Sequence, residues 1–291
     1  MLLDYLFPET TEQALSILKE KQGQARVIAG GTDLLLDMKE GKKEAAVLVD
    51  ITRIPGLKEI KVDNGMVQIG AAVTHNQAAK SELVREKALA LAQAARTVGS
   101  LQIRNSATVV GNVVNAQPAA DTAVALTAFD AVAEVLSPGK KEYLPLEELY
   151  TDRAGKSALD SASQLVTRIQ FPALLKNQGS AFERLEQRKA LALPMLNAAV
   201  VVSLSGESFE WVRIAMAPVG TKPVRATEAE ALLAGAKVTP EIIEEAAKTA
   251  IAQANPRNSL LRGSREYRLE VLPVLIRRAL ESAVREARNN F

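Results

Sequence analysis

The 291-residue chain contains no cysteine. That excludes disulfides, thiolate zinc sites, a cysteine nucleophile and an iron–sulfur cluster ligated within the chain. His75 is the single histidine. A multi-histidine metal site is therefore impossible, and a Ser-His-Asp triad would have to use that residue. Aromatic residues make up 4%, too few to build stacking platforms for single-stranded nucleic acid. Neither charge sign dominates. Lys+Arg total 36 against Asp+Glu 34, a formal net charge of +2, which gives no field able to hold nucleic acid or an anionic membrane. The longest apolar run, around Leu196–Leu204, includes Asn197 and Ser203 and is far too short to span a bilayer. The first residues carry Asp4 and no basic stretch, so no signal peptide is expected. These absences lead to the expectation of a soluble, cytoplasmic protein.

Hydrophobic residues supply 47% of the chain, enough for a substantial core, and the length favours two domains. Thr10 with Gln13 predicts a helix start and Gly23 its stop. Ala25–Ala29 and Ala46–Ile51 are short apolar runs, with a helical pattern over Thr32–Lys39 between them. This predicts a small parallel strand-helix-strand unit. Beyond Pro55-Gly56, Asp63-Asn64-Gly65 predicts a hairpin turn. Thr74 with Gln77 predicts a second capped helix, followed by one helix over Leu83–Val98 and another over Ala119–Phe129. A hairpin across Ser137-Pro138-Gly139 and a strand at Gln164–Phe171 complete this part.

After residue 172 the pattern changes to three strands and then helices. Ala181–Arg188, Leu196–Leu204 and Phe209–Ala217 predict a three-stranded antiparallel sheet. Thr227 with Glu230 predicts one helix, Thr239 with Pro240 another. The last runs from about Ser264 into the 280s, kinked at Pro273, with Tyr267, Val271, Leu275, Leu280 and Val284 inward. The expected division is 1–172, with subdomains of about 1–56 and 57–172, and then 173–291.

Two segments carry candidate chemistry. In Val27–Leu34 a strand feeds Gly30-Gly31 and then a helix start. Glycines let a backbone approach an anion, and free helix amides point at it. Thr32 adds a hydroxyl, while Asp33 suits a helix cap better than a phosphate. A tight turn without a ligand explains the same residues. In Ile103–Asp121, Thr108, Gly111, Asn112, Asn115 and Asp121 recur among valines. Such groups can satisfy the oxygens and N–H groups of a buried cofactor, or simply the backbone of a buried irregular strand. His75, at a helix start, reads as packed or hydrogen-bonded.

Taken together, these motifs resemble the flavoprotein (medium) subunits of molybdenum hydroxylases, the group of xanthine dehydrogenase and aerobic carbon monoxide dehydrogenase. The family pattern A-G-G-T/H-D/S-L is matched by Ala29–Leu34. I-R-N-x-A-T-I-G-G-N and P-x-x-D correspond to Ile103–Asn112 and Pro118–Asp121. P-x-R-A-x-x-A-E is matched by Pro223–Glu230, and R-G-S-x-E-Y-R by Arg262–Arg268. The resemblance covers nearly the whole chain. It implies an α+β protein with an FAD-binding domain of the p-cresol methylhydroxylase type, in two subdomains, and a carboxyl-terminal sheet-and-helix domain. Val27, Ile28, Ala29, Gly30, Gly31, Thr32 and Asp33 would wrap the FAD diphosphate. Thr108, Gly111, Asn112, Val114, Asn115 and Asp121 would touch the cofactor from the second loop. Val166 would lie against the flavin ring, and Arg184 and Lys156 would supply basic contacts.

The resemblance further implies non-covalent FAD and electron transfer without a catalytic acid or base. A [2Fe–2S] small subunit and a molybdenum large subunit would be the partners, with NAD, a quinone or oxygen as acceptor. The chain itself would hold no metal. Two alternatives are a stand-alone FAD reductase or oxidase of the same fold and a flavin-depleted assembly subunit. The latter is motivated by Val110, which stands where the family has the first glycine of T-I-G-G-N. A β-branched residue there is expected to strain the loop and weaken flavin binding.

Overall fold

The computed structural model describes residues 3–188 and 191–290. The chain opens with β1 (Asp4–Leu6), α1 (Thr11–Glu20), β2 (Ala25–Ile28), α2 (Leu34–Lys39) and β3 (Val47–Asp50). The sheet order is β1-β3-β2, all parallel. The expected parallel unit is present, and β1 adds a strand on its far edge. Thr10 caps α1 by accepting the Gln13 amide. Asp33 precedes α2 but its side chain caps nothing, contrary to expectation.

Next come β4 (Ile60–Asp63) and β5 (Met66–Gly70), joined through Asn64 and Gly65 at positive φ, as that turn sequence demands. A run of helices follows: α3 (His75–Lys80), α4 (Glu82–Lys87), α5 (Leu89–Thr97), α6 (Leu101–Ser106), α7 (Val109–Val114) and α8 (Asp121–Ala128). The Thr74–Gln77 capping box forms in full. The single helix expected over 83–98 is broken at Ala88, which leaves helical geometry between α4 and α5. β6 (Val132–Ser137), β7 (Lys140–Pro145) and β8 (Leu165–Pro172) complete a five-stranded sheet of order β4-β5-β8-β6-β7.

The last part contains β9 (Gln178–Leu185), β10 (Leu196–Ser205), β11 (Ser208–Ala217), β12 (Val224–Arg225), α9 (Thr227–Leu233), α10 (Pro240–Thr249) and α11 (Arg265–Asn289). Its antiparallel sheet has four strands, β12-β11-β10-β9, not the three expected. The extra strand is two residues long, too short to leave a periodic signal. Thr227 is not a cap, and Glu230 instead accepts the Ile214 amide and pairs with Arg225. Thr239 caps α10, with Pro240 at its first position. α11 runs through Pro273, and Tyr267 is 44% exposed rather than inward.

The apolar run of β10 follows from what covers it. Ala199 and Val201 join the larger core, with α5 and α8, while Ala198, Val200 and Val202 join a second core with α9, α10 and α11. Alternate side chains thus serve opposite faces, and both faces are dry. Burying both faces anchors the carboxyl-terminal sheet on the helices that follow β5.

Candidate functional site

Two loops face each other across a cavity of about 630 Å³. The first leaves β2 after Ile28 and reaches α2 through Gly30 and Gly31. The second is α7 with its approach, not an irregular strand. Ser100 and Thr108 cap α6 and α7 by accepting the Ile103 and Gly111 amides. Backbone bonds lock this segment in place. Val109 N–H donates to the Val73 carbonyl, and His75 N–H to the Ala107 carbonyl, each at 3.0 Å.

The two glycines of the first loop have different tasks. A Cβ on Gly30 would collide with the Ser106 carbonyl oxygen and lie 2.8 Å from Ala107 Cα. Glycine there lets the loops touch. Gly31 has φ +69°, a left-handed conformation that turns the chain into α2. Among the described residues, the amides of Gly30, Gly31, Thr32 and Asp33 donate to no acceptor. Consecutive unpaired N–H groups at the mouth of a cavity form an anion nest.

Of the residues expected to bind the cofactor, Val27 through Asp33 line this cavity, as do Thr108, Gly111, Asn112, Val114, Asn115 and Lys156. Asn112 also accepts the Thr122 hydroxyl at 2.7 Å, which fixes its amide. Asp121, Val166 and Arg184 lie outside. Val166 is buried in the larger core. Asp121 and Arg184 pair at 3.0 Å, both side chains buried, and Asn197 donates to the other Asp121 oxygen at 2.8 Å. Arg184 also donates to the Thr97 carbonyl at 2.7 Å and to that of Ala192. Burial pushes the Asp121 carboxyl up to about 6, with Arg184 and Asn197 opposing the rise. This cluster ties the carboxyl-terminal sheet to the start of α8.

Val110 does not strain the loop. It is the second residue of α7, has no positive φ, and is 3% exposed in the larger core. A helical backbone accepts valine, so the expected weakening of flavin binding by strain has no basis in this geometry.

Sequence reasoning missed several lining residues. Lys43 adds a cation near the first loop, held 3.0 Å from Asp37. Ser157 and Ser161 reach the cavity because Val27 N–H donates to the Ser161 carbonyl at 3.1 Å, a tertiary contact with no local signature. His75 also borders the cavity. It is fully buried, neither ring nitrogen has a partner among the described residues, and burial, aided by Arg104, lowers it to about 4. It is therefore a neutral imidazole at physiological pH.

Among the described residues no group of three metal-ligating side chains occurs, and no helix is long and apolar enough to cross a membrane. The nest, the cations and the tight loop contact suit a diphosphate-bearing cofactor rather than a metal.

Comparison with known proteins agrees. Residues 2–174 match the family described as FAD binding domain in molybdopterin dehydrogenase, and residues 180–283 match the CO dehydrogenase flavoprotein C-terminal domain. The carbon monoxide dehydrogenase medium chain of Hydrogenophaga pseudoflava is 29% identical over 96% of this chain and 96% of its own length. The xanthine dehydrogenase FAD-binding subunit of Escherichia coli O157:H7 is 28% identical over 96% of this chain and 94% of its own. A solved carbon monoxide dehydrogenase from Hydrogenophaga pseudoflava superposes with a TM-score of 0.91 at 29% identity, covering 98% of each chain. The chain belongs to the FAD-binding medium subunits of the molybdenum hydroxylases, the group of carbon monoxide and xanthine dehydrogenases, and so to the flavoprotein oxidoreductases.

Proposed function

We propose that this chain carries FAD as the electron-transfer subunit of a cytoplasmic molybdenum-containing hydroxylase. A small subunit with [2Fe–2S] clusters would deliver electrons to it, a large subunit with the molybdenum cofactor would act on the substrate, and NAD, a quinone or oxygen would be the acceptor. The observation that carries this reading is the unpaired amide nest of Gly30–Asp33 facing Thr108–Asn115 across one cavity. FAD, when bound, supplies both one- and two-electron redox chemistry.

The residues of the chain would bind and orient. The amides of the first loop and the Thr32 hydroxyl hold the diphosphate, with Lys156 and Lys43 offsetting its charge. Thr108, Gly111, Asn112, Val114 and Asn115 form the opposite wall. Asp121, Arg184 and Val166 act as positioning residues, since their side chains are spent on each other and on the core. In this division of 1–172 and 173–291, the second part fixes the first through that cluster. No acid or base is required, and the chain's lack of cysteine agrees with clusters held on another subunit.

The test is reconstitution. Substrate should bleach the flavin absorbance only when the iron–sulfur and molybdenum subunits are present. Rapid bleaching by a purine or aromatic substrate with this chain alone would contradict the proposal.

A further inference from the structure

The carboxyl-terminal domain holds a second cleft, of about 370 Å³, distinct from the loop cavity. Pro218, Gly220 and Thr221 form one wall and residues of the segment from Asn255 to Arg262, Asn258 and Ser259 among them, form another, and Pro118 closes it from the connection between α7 and α8. Arg257, Arg262 and Arg268 all line it, and no Asp or Glu does. Among the described residues none of these three arginines lies within 4.0 Å of a carboxylate, whereas Arg168, Arg184, Arg213, Arg225, Arg277 and Arg288 each do.

Arg268 is the fixed point. It is 3% exposed on the first turn of α11, donates to the Arg257 carbonyl at 2.9 Å and to that of Pro218, and leaves its Nε without an acceptor. Burial lowers Arg262 and Arg268 from the ordinary guanidinium value. Arg257 adds to the effect on Arg262, and Arg262 to that on Arg268. Arginine nonetheless stays charged, so three like charges share one small cleft with no carboxylate within 4.0 Å among the described residues.

The neutral groups point the same way. The Ser259 hydroxyl accepts the Leu261 and Arg262 amides, leaving its own proton to give. Asn258 spends its carbonyl oxygen on the Arg265 amide, leaving its NH₂ free. The site therefore presents donors and positive charge. Its complement is an anion with several acceptor oxygens and more than one negative charge, which a phosphate group provides and a single carboxylate does not. The volume lies at the lower end for small-molecule sites. The Arg262–Arg268 motif contributes two of the three arginines, and flavin binding gives it no task.

We infer that this cleft is a second binding site, taking a phosphate-bearing small molecule no larger than a nucleoside diphosphate.

The full chain, saturated with FAD, is titrated calorimetrically with inorganic pyrophosphate, with ADP and with glutarate as a dicarboxylate control. The same titrations use Arg257→Gln, Arg262→Gln and the double variant. Arg268 is left intact because it holds two backbone carbonyls. The substitutions locate the signal, so the result stands even where the flavin assignment fails. Pyrophosphate or ADP should bind, glutarate at least about tenfold more weakly, and each single substitution should cost about tenfold in affinity. FAD titrations of the variants should match the unsubstituted chain. Tighter binding of ADP than of pyrophosphate identifies a nucleotide, and the reverse identifies a free phosphate compound. The inference is overturned by absence of binding to both at millimolar concentration, by binding that survives in a folded double variant, or by glutarate binding as tightly.

Discussion

Gly30→Ala adds one methyl where the first loop rests on the second. Its carbon would lie 2.8 Å from Ala107 Cα and closer still to the Ser106 carbonyl oxygen. Both are backbone atoms at the end of α6 and just after it, so no rotamer change relieves the clash. Carbon–carbon contact is comfortable at about 3.5–4.0 Å, so the loops must part by about 1 Å. Overpacking of this kind costs about 1–3 kcal/mol. Where bound FAD requires the native separation, that weakens binding by about 5- to 150-fold. Gly206→Ala is the control. It places the same methyl at a positive φ, +58°, with nothing within 4 Å, in the turn between β10 and β11. It should lower stability without changing FAD affinity. Flavin fluorescence titration with parallel thermal melts separates the two effects. A folded Gly30→Ala protein that binds FAD as tightly as the unsubstituted chain would refute the account of the loop contact.

Val110→Gly should lose about 1.5–3 kcal/mol of buried side chain and about 0.3–0.5 kcal/mol of helix propensity relative to valine, melting several degrees lower with no gain in FAD affinity. Tighter FAD binding would restore the strained-loop idea. Glu286 accepts the Ser180 amide, yet burial lifts it from 4.5 to about 7. The folded chain thus keeps a proton that the unfolded chain releases between those values, so stability falls as pH rises through that window. Glu286→Gln should flatten the fall and add about 1–3 kcal/mol at pH 8 in urea melts; an unchanged pH slope would contradict this.

Much of the frame was legible because turns and periodicity are local. Asn64-Gly65, the Thr74–Gln77 box and the Ala25–Ala29 and Ala46–Ile51 runs each declare their structure within a few residues. The segment from 101 to 114 misled because its valines and asparagines carry weak helix propensity. Two side-chain caps, Ser100 and Thr108, and the bonds accepted by the Val73 and Ala107 carbonyls override it. The same override explains Val110, whose family position suggested strain while its backbone is helical. In the site, the two motif loops were visible, but their meeting was not. It depends on the missing Cβ of Gly30, and the approach of Ser157–Ser161 depends on one tertiary hydrogen bond. Asp121 and Arg184 were legible as functional types. Only the fold reveals that they satisfy each other.

The central claim is that the facing loops hold FAD without a covalent bond. The direct measurement is the visible spectrum of the purified chain before and after acid precipitation. The account predicts flavin absorbance in the native protein, at up to one FAD per chain, and yellow colour in the supernatant after acid. A colourless chain that takes up no added FAD, or colour that stays with the pellet, would contradict it.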